Sequence, residues 1–400
     1  MNAEKIIRNR FIQPFVGKTS NNVGAELEYP LTNESGGDID VEFAASVLKH
    51  FEAHGFHCVL FGTHGEKLFM ENDDGDCVSF DNSYNNFEFS MQYGDNLCAI
   101  YDRYRRLFDE AQNYFARESH SLIGRGTNPN FHNISVNHVP FATYDMVRGF
   151  LHDFPGAHGY PDFPAFLSSV QTHLDVSADI LPCMYTLFTR LDFVRALLFA
   201  NSPDFDGRGY RIFRDYLWEK SGFSNCPGIT GKVDESFETV DDIVSFFLKK
   251  GMFNRIRNGK YEYFKPVPIK EYFENPKYGA RAEDVECYLS FRSVEITSRG
   301  TLEVRGDCTQ PLDRPFSPPA FNLGILNNAQ AAKARLNRFF EDNPTELTNS
   351  ELRNIVAEGG DLDKIAPERE RGKLLSDMAD ISHTALKKRG KGEEKLLILA

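Results

Sequence analysis

Carboxylates placed two residues apart within apolar runs are the feature of this sequence best suited to chemistry. Residues at i and i+2 of a strand point to the same face, so such carboxylates lie side by side. In the segment 24–30, GAELEYP, Glu26 and Glu28 alternate with Ala25 and Leu27. The segment therefore predicts a strand with one apolar face and one acidic face.

Three further segments place polar groups on predicted strands in the same way. Their polar residues are Asp81 and Glu88 in VSFDNSYNNFEFS, Gln171, His173 and Asp175 in VQTHLD, and Glu303 and Arg305 in TLEVR. For a single strand, such a face is most often the solvated side of an antiparallel sheet. The segments gain a functional meaning if they are neighbours in one sheet, and we predict that they are.

One sheet face would then carry several carboxylates at short range. Like charges this close repel each other unless cations hold them. Ligand sets made of oxygen atoms suit Mg²⁺ or Mn²⁺ better than Zn²⁺. Divalent ions beside arginines are what phosphoryl transfer requires, because both neutralise the charge of the transferred group. The predicted metal ligands are Glu26, Glu28, Asp81, Glu88 and Glu303.

Other phosphate- and metal-binding motifs are incomplete in this sequence. The segment 17–19, GKT, is typical of the end of a P-loop, but the first glycine of that motif would fall at Ile12. Gly124 begins a GxGxxG pattern whose third glycine is replaced by Pro129. The sequence also has no HExxH zinc motif. A nucleotide would therefore be bound by another arrangement.

The composition narrows the class of protein. The 400 residues include 58 acidic and 45 basic side chains, which gives a net charge of −13, and 41% of the residues are hydrophobic. Such a chain is long and apolar enough for a compact, enzyme-sized protein. The acidic excess argues against binding to nucleic acid or to an anionic membrane surface, since both need a basic patch. The predicted partners are therefore small molecules.

The cysteines and the N-terminal segment indicate the cellular compartment of the protein. The seven cysteines are odd in number and form no CxxC pair, so we predict neither a disulfide framework nor a zinc ribbon. The segment MNAEKIIRNRFIQPF has no apolar signal-peptide core, and no window approaches the roughly 20 apolar residues of a membrane span. We predict a cytoplasmic protein that is a monomer or a homodimer.

The elements that must position these residues are interspersed helices and strands. Helical periodicity is clearest from Asp95 to Glu118, with Asp95 as the predicted cap. Weaker helical patterns cover residues 41–54, 143–153, 180–200 and 240–250. Because strands and helices follow no regular strand-helix-strand order, the predicted fold class is α+β with an antiparallel sheet.

A proline-rich segment divides the predicted sheet from a helical tail. Residues 311–319, PLDRPFSPP, follow the last predicted strand and precede a charge-rich helical region. We predict a catalytic core of sheet and helices over 1–310 and a tail over 311–400 packed on it, in a single structural domain.

In their order and spacing, several segments resemble the glutamate-cysteine ligase family, namely its plant-type members and related bacterial carboxylate-amine ligases. The matching segments are GAELEYP (24–30), VSFDNSYNNFEFS (78–90), GRGTNPNF (124–131), SSVQTHLDVS (168–177), LLFANSP (197–203), RIFRDYLW (211–218), SVEITSRGTLEVRGD (293–307) and RGKGEEKLL (389–397). No single motif is decisive, so their collinearity carries the resemblance. It implies a glutamine synthetase-like antiparallel sheet with a concave active-site face and helices on its other side.

The resemblance also implies an activity. ATP would phosphorylate the γ-carboxylate of glutamate, and the amine of cysteine would attack the γ-glutamyl phosphate to give γ-glutamylcysteine. It implies ATP and Mg²⁺ as cofactors, with Mn²⁺ as a substitute. Two alternatives stay open: a related ligase that joins glutamate or another acid to a different amine, and a catalytically silent homologue that binds Mg-nucleotide.

When the family's motifs are matched residue by residue, its metal-binding positions fall on the five carboxylates named above as predicted metal ligands. The resemblance assigns Gln171 and His173 to substrate or nucleotide contacts. Arg214, in RIFRDYLW, and Arg305 would be catalytic residues that neutralise phosphate or the substrate carboxylate. The choice of Arg214 rests on the resemblance alone.

Two positions depart from the family pattern. His173 stands where plant members usually have asparagine, and Phe166 stands where an arginine is expected. The missing arginine bears on recognition of the acceptor acid. Arg190 or Arg195 is an alternative source of that positive charge.

Overall fold

The computed structural model describes residues 1–18, 22–205 and 207–399, so Thr19 of the GKT segment lies outside the described residues. The strands are β1 Val23–Asn33, β2 His57–Phe61, β3 Lys67–Glu71, β4 Cys77–Phe80, β5 Asn86–Gly94, β6 His120–Leu122, β7 Ser169–Asp175, β8 Thr230–Gly231, β9 Gly251–Arg257, β10 Lys260–Pro268, β11 Phe291–Arg292, β12 Val294–Ile296 and β13 Thr301–Cys308. The α-helices are α1 Ala3–Ile7, α2 Val41–Ala53, α3 Leu97–Phe115, α4 Ala142–Asp153, α5 Leu181–Arg190, α6 Asp192–Phe199, α7 Phe213–Glu219, α8 Val240–Lys249, α9 Ile269–Glu274, α10 Ser317–Asn327, α11 Ala329–Asp342, α12 Asn349–Ala357 and α13 Glu368–Arg389.

A nine-stranded sheet organises the chain. Its strand order is β12-β13-β7-β1-β5-β4-β3-β2, and β6 pairs with β1. All of these pairings are antiparallel. The predicted α+β class is therefore confirmed, and the four polar-faced segments are neighbours in one sheet.

The apolar face of the sheet packs on helices. Along β1, the side chains of Ala25, Leu27 and Tyr29 are fully buried, as strand alternation predicts. The hydroxyl of Tyr29 lies 2.5 Å from that of Tyr104 on α3. Helix α10 packs behind β7 and β1, and α13 packs on α10. Helices α3, α10 and α13 thus lie on the side of the sheet opposite Glu26, as predicted.

Helix α3 begins one residue later than the sequence indicated. The side chain of Asn96 caps the helix, because its Oδ1 accepts hydrogen bonds from the backbone N–H of Cys98 at 3.0 Å and of Ala99 at 3.3 Å. Asp95 instead pairs with Lys391 at 2.8 Å, so its prediction as the cap is wrong. Asn96 has the extended backbone that a cap residue needs.

Two other predicted boundaries differ from the structure. The helix predicted over 180–200 is divided at Leu191 into α5 and α6. Helix α10 already begins at Ser317, so Pro318 and Pro319 occupy its first turn. Proline is tolerated there because its missing N–H would have no helical partner. The division into core and tail at residue 310 stays a prediction.

A second hydrophobic cluster covers part of the polar face of the sheet. It includes side chains of α4, α7, β9 and the segment before β7. The rings of Trp218 and Phe291 stack at 4.4 Å, and those of Phe150 and Phe223 at 4.8 Å. This cluster and the sheet enclose the cavity described below. Among the described helices, none is long and apolar enough to cross a lipid bilayer.

Candidate active site

Glu28 lies near the centre of the polar face, on β1. The register places it opposite Glu88 on β5. Gln171 on β7 donates a hydrogen bond from Nε2 to Oε1 of Glu28 at 2.7 Å, and the backbone N–H of Ser169 donates to Oε2 at 2.8 Å. Gln171, expected as a substrate or nucleotide contact, therefore holds Glu28 in position in this structure.

His173 joins two of the predicted metal ligands. Its Nε2 lies 3.0 Å from Oε1 of Glu26 and 3.9 Å from Oε1 of Glu303, its register partner on β13. One ligand atom from each of the three residues lies within 4.8 Å of the others. These two carboxylates and one imidazole can therefore hold a single metal ion. The resemblance assigned His173 to a substrate or nucleotide contact, whereas in the structure it lies between two predicted metal ligands.

The remaining predicted carboxylates lie on the same face but further apart. Asp81 begins the turn from β4 to β5, in which Asn82 has φ +59°, a left-handed conformation that asparagine tolerates. Glu88 accepts a hydrogen bond from Oγ of Ser90 at 2.5 Å. Within the described residues, no equally close group of three metal-binding side chains includes Glu28, Asp81 or Glu88.

The protonation of these carboxyls reflects burial and crowding. Burial and the charge of Asp81 raise the pKa of Glu28 to about 8. Burial and the charge of Glu26 raise the pKa of Glu88 well above its usual range. Burial also raises the pKa of Asp81, against a hydrogen bond from Tyr144.

Glu26 shows the opposite behaviour. Burial alone would raise its pKa, but the imidazole of His173 together with the charges of Arg299 and Arg305 lowers that pKa to about 2. Nearby positive charge thus favours the charged form of a carboxyl on this face. The donor set fits divalent cations such as Mg²⁺, since the crowded carboxyls retain their negative charge only when a cation compensates it.

Two arginines face these carboxylates. Arg305 donates a hydrogen bond from Nη1 to the carbonyl of Ser290 at 2.6 Å and lies 3.9 Å from Glu303. Burial opposes its charge, yet the surrounding carboxylates raise its pKa further. Arg214 on α7 is only 8% exposed and donates to the carbonyl of Arg305 at 3.3 Å.

Arg214 also carries an unused donor. Its buried Nε has no hydrogen-bond partner among the residues that the structure describes. A buried donor without a partner costs free energy, so such groups usually meet a ligand or water. Arg214 is therefore a buried residue with a free donor and is not a surface helix arginine.

A cavity of about 220 Å³ lies between the polar strand face and the second hydrophobic cluster. Its lining combines carboxylates, cations and an aromatic wall. The lining residues that bear on function are Glu28, Asp81, Arg214, Arg305, Trp218 and Phe291. Negative and positive groups thus face each other across a small enclosed space.

Two cations of the cavity were not predicted. Lys232 and Arg292 line it beside the short parallel pair of β8 and β11. Arg292 donates to the carbonyl of Lys232, and its Nε has no partner within the described part of the chain. Lys232 binds Glu219 and lies 2.8 Å from Oδ1 of Asn354. The one available signal was the position of Arg292 directly before the SVEI segment.

The arginines suggested as replacements at the acceptor site lie elsewhere. Arg195 is fully buried behind the sheet and binds Asp192. Arg190 binds Oδ1 of Asn337 at 2.8 Å on a tail helix. Neither lines the cavity, and Phe166 belongs to the second hydrophobic cluster.

The incomplete phosphate motifs make structural contacts. Lys18 binds Asp175 at 3.0 Å and the carbonyl of Gly300 at 2.8 Å, which ties the segment before β1 to the turn before β13. A Cβ at Gly124 would lie 2.6 Å from the carbonyl oxygen of Gln310. That glycine therefore serves close backbone packing.

Comparison with known proteins gives consistent matches. The model of glutamate-cysteine ligase family 2 matches residues 22–358. Relatives include the chloroplastic glutamate–cysteine ligases of Arabidopsis thaliana and Solanum lycopersicum, each 25% identical over 248 residues. These matches cover 59% and 60% of this chain and 46% of each relative. The chain thus spans about half the length of the curated relatives it matches.

Solved structures with similar folds have low sequence identity to this chain. A bifunctional glutathione synthetase from Pasteurella multocida has a TM-score of 0.45 and 14% identity, and the match covers 99% of this chain and 54% of that chain. A glutamate–cysteine ligase from Francisella tularensis in complex with AMP has a TM-score of 0.44 and 11% identity, with coverage of 94% and 82%.

Proposed function

We propose that this protein, which belongs to glutamate-cysteine ligase family 2, is an ATP-dependent ligase that joins a carboxylate to an amine. Its glutamine synthetase-like antiparallel sheet brings the candidate groups together. The observation that carries the proposal is the cavity in which Arg214 and Arg305 face the carboxylates of Glu28 and Asp81. Phosphoryl transfer needs positioned cations of this kind, because negative charge is spread over the transferred group.

The donors for divalent ions lie on the same strand face. Glu26, His173 and Glu303 would hold one Mg²⁺, and Glu28 and Glu88 are further donors, together with Asp81. Bound Mg²⁺ supplies neutralisation and orientation of the phosphate oxygens. Mn²⁺ has similar ligand preferences and would serve the same donors.

In the first step, an oxygen of the substrate carboxylate attacks the γ-phosphorus of ATP. The bond between that phosphorus and the β–γ bridging oxygen breaks, and ADP leaves. Arg305 and Arg214 stabilise the charge of the transferred phosphoryl group, and the unpaired Nε of Arg214 gains an acceptor. Gln171 keeps Glu28 oriented throughout.

In the second step, a neutral amine attacks the acyl carbon of the acyl phosphate. The bond from that carbon to the phosphate oxygen breaks, and phosphate leaves with the proton of the amine. The stacked rings of Trp218 and Phe291 form an apolar wall of the cavity. Such a wall limits access of water, which would otherwise hydrolyse the acyl phosphate.

We propose glutamate as the acid and cysteine as the amine, in line with the names of the plant relatives. A different amine is the second candidate. The aromatic wall favours it, because two stacked rings offer more apolar contact than the side chain of cysteine needs. Cytoplasmic location belongs to the same proposal, supported by seven unpaired cysteines.

The test is release of ADP by the purified protein with Mg-ATP. It compares glutamate alone, glutamate with cysteine, and glutamate with a panel of other amines, and it assays amide formation in parallel. The proposal predicts that an amine accelerates ADP release and forms an amide, and that the Arg305→Ala variant does both about 100-fold more slowly. Nucleotide binding with no amine-dependent release would identify a silent homologue and overturn the ligase assignment.

A further inference from the structure

We propose a second metal site, selective for Zn²⁺ and similar transition-metal ions, between α2 and α3 at His50, His54 and Glu110. One ligand atom from each of these residues lies within 4.8 Å of the others. None of the three belongs to the strands of the cavity, so this site is separate from the proposed active site.

Helix geometry brings the two imidazoles together. His50 and His54 are one helical turn apart at the end of α2, and their ring centroids are 4.3 Å apart. Glu110 reaches them from α3. Its Oε1 lies 3.9 Å from Nε2 of His54 and in direct contact with Nε2 of His50. Two Nε2 atoms therefore point at the same carboxylate oxygen, where one ion can contact all three ligands.

Neighbouring groups already orient both histidines. The Nδ1 of His54 lies 2.8 Å from the carbonyl oxygen of His50, so a proton on Nδ1 leaves Nε2 free for a metal ion. This hydrogen bond is the usual arrangement behind metal-bound histidines. The ring of His50 packs on Tyr114 at 4.7 Å, and the hydroxyl of Tyr114 lies 2.6 Å from Oγ of Ser46. Little reorganisation is needed to form the site.

The donor set and its surroundings determine the class of ion. Two imidazole nitrogens and one carboxylate are ligands typical of Zn²⁺, whereas Mg²⁺ prefers oxygen ligands and retains its water. The carbonyl end of a helix favours positive charge, and this site lies at that end of α2. The side chain of His54 is 52% exposed, so an ion can reach the site from solvent. A bound ion would link α2 to α3.

The experiment measures Zn²⁺ binding by titration calorimetry, using the metal alone. The full chain carries Glu303→Gln and His173→Gln, which removes competition from the strand-face ligands. We expect one Zn²⁺ per chain in this background and loss of that binding in His54→Gln. His383→Gln is the matched control, because His383 is an exposed histidine on α13.

Thermal unfolding gives a second readout. Zn²⁺ should raise the melting temperature of the background variant and of the His383→Gln control but leave the His54→Gln variant unchanged. Glu110→Gln should weaken Zn²⁺ binding by at least about tenfold. Circular dichroism checks that each variant is folded. Absence of Zn²⁺ binding in the background variant, or undiminished binding in His54→Gln, would overturn the proposal, whatever the outcome of the ligase assay.

Discussion

Arg305 occupies the position where the cationic and acidic groups of the site meet. It lies 3.9 Å from Glu303 and lines the cavity, and its side chain makes one hydrogen bond within the described part of the chain, to the carbonyl of Ser290. Its structural contribution is therefore modest, whereas a cation beside the transferred phosphoryl group acts mainly in the transition state.

We expect Arg305→Ala to lower kcat by about 100-fold, in line with the loss of one stabilising group for developing charge. Loss of its hydrogen bond to Ser290 should lower the free energy of unfolding by only about 1 kcal/mol. Steady-state kinetics and urea unfolding measure the two effects. Stability losses as large as the loss of transition-state stabilisation would contradict a catalytic role.

If Glu28 is a metal ligand, as proposed, metal binding depends on pH. Its pKa is raised to about 8, so most of this carboxyl is protonated at pH 7 in the absence of a cation. Ligation requires the carboxylate, and Mg²⁺ binding should therefore release a proton at neutral pH. The affinity for Mg²⁺ should rise with pH until the pH exceeds this pKa.

Titration calorimetry in buffers of different ionisation enthalpy measures that proton release. The observed enthalpy should vary with the buffer for the natural chain and vary less for Glu28→Gln. The same enthalpy in every buffer would show that Glu28 does not exchange its proton for the ion.

The sequence predicts the residues of the candidate site where they belong to a strand long enough to show alternation. Alternation with period two placed Glu26 and Glu28 on one face, and the register of the sheet brought Glu88 beside them. Lys232 and Arg292 were missed because they are brought together by the pairing of β8 with β11. These strands have two residues each and are far apart in the chain. Such strands are too short to show a periodic pattern.

At the scale of elements, strand β13 shows what alternation cannot predict. Its register with β7 shifts between Val304 and Asp307. Strict alternation would place Asp307 on the same face as Arg305. Instead Asp307 accepts a hydrogen bond from Asn322 on α10 at 3.0 Å, on the helical side of the sheet. The irregularity includes Gly306, and glycine within a strand is a common sign of a bulge.

The start of α3 offers a direct comparison of two adjacent residues. Asn96→Ala removes the capping acceptor and should lower the free energy of unfolding by about 1 kcal/mol. Asp95→Ala removes only an exposed ion pair with Lys391 and should cost at most about 0.5 kcal/mol. Urea unfolding distinguishes the two. A larger loss of unfolding free energy for Asp95→Ala than for Asn96→Ala would show that Asp95 is the cap.

At the scale of the whole molecule, the tail is joined to the sheet by buried charge. Arg353 on α12 is fully buried and binds Asp215 at 2.6 Å and Asp192 at 3.2 Å. It also donates to the carbonyl of Gly306, next to Arg305, at 2.6 Å. The tail therefore supports the strand that carries the proposed catalytic arginine.

We expect Arg353→Leu to lower the free energy of unfolding by about 3–5 kcal/mol, because it removes one cationic partner from each of two buried carboxylates. Arg338→Leu is the control, since Arg338 is 70% exposed on α11 and should change stability by less than about 0.5 kcal/mol. Chemical unfolding measures both variants. Equal, small effects would show that the buried charges do not support the fold.

The net charge of −13 argued against a nucleic-acid partner but did not locate the site. The five predicted metal ligands are only a small part of the 58 acidic residues. The arrangement of a few carboxylates was more informative than their number. The predicted resemblance to the glutamate-cysteine ligase family is confirmed by the match over residues 22–358.

In the proposed mechanism, the enzyme forms an acyl phosphate before it forms the amide. The most direct test supplies glutamate labelled with oxygen-18 in its γ-carboxylate, together with Mg-ATP and the accepted amine. Mass spectrometry of the released phosphate then follows the label. We expect one labelled oxygen in the phosphate for every amide formed, whereas amide formation with unlabelled phosphate would contradict an acyl-phosphate intermediate.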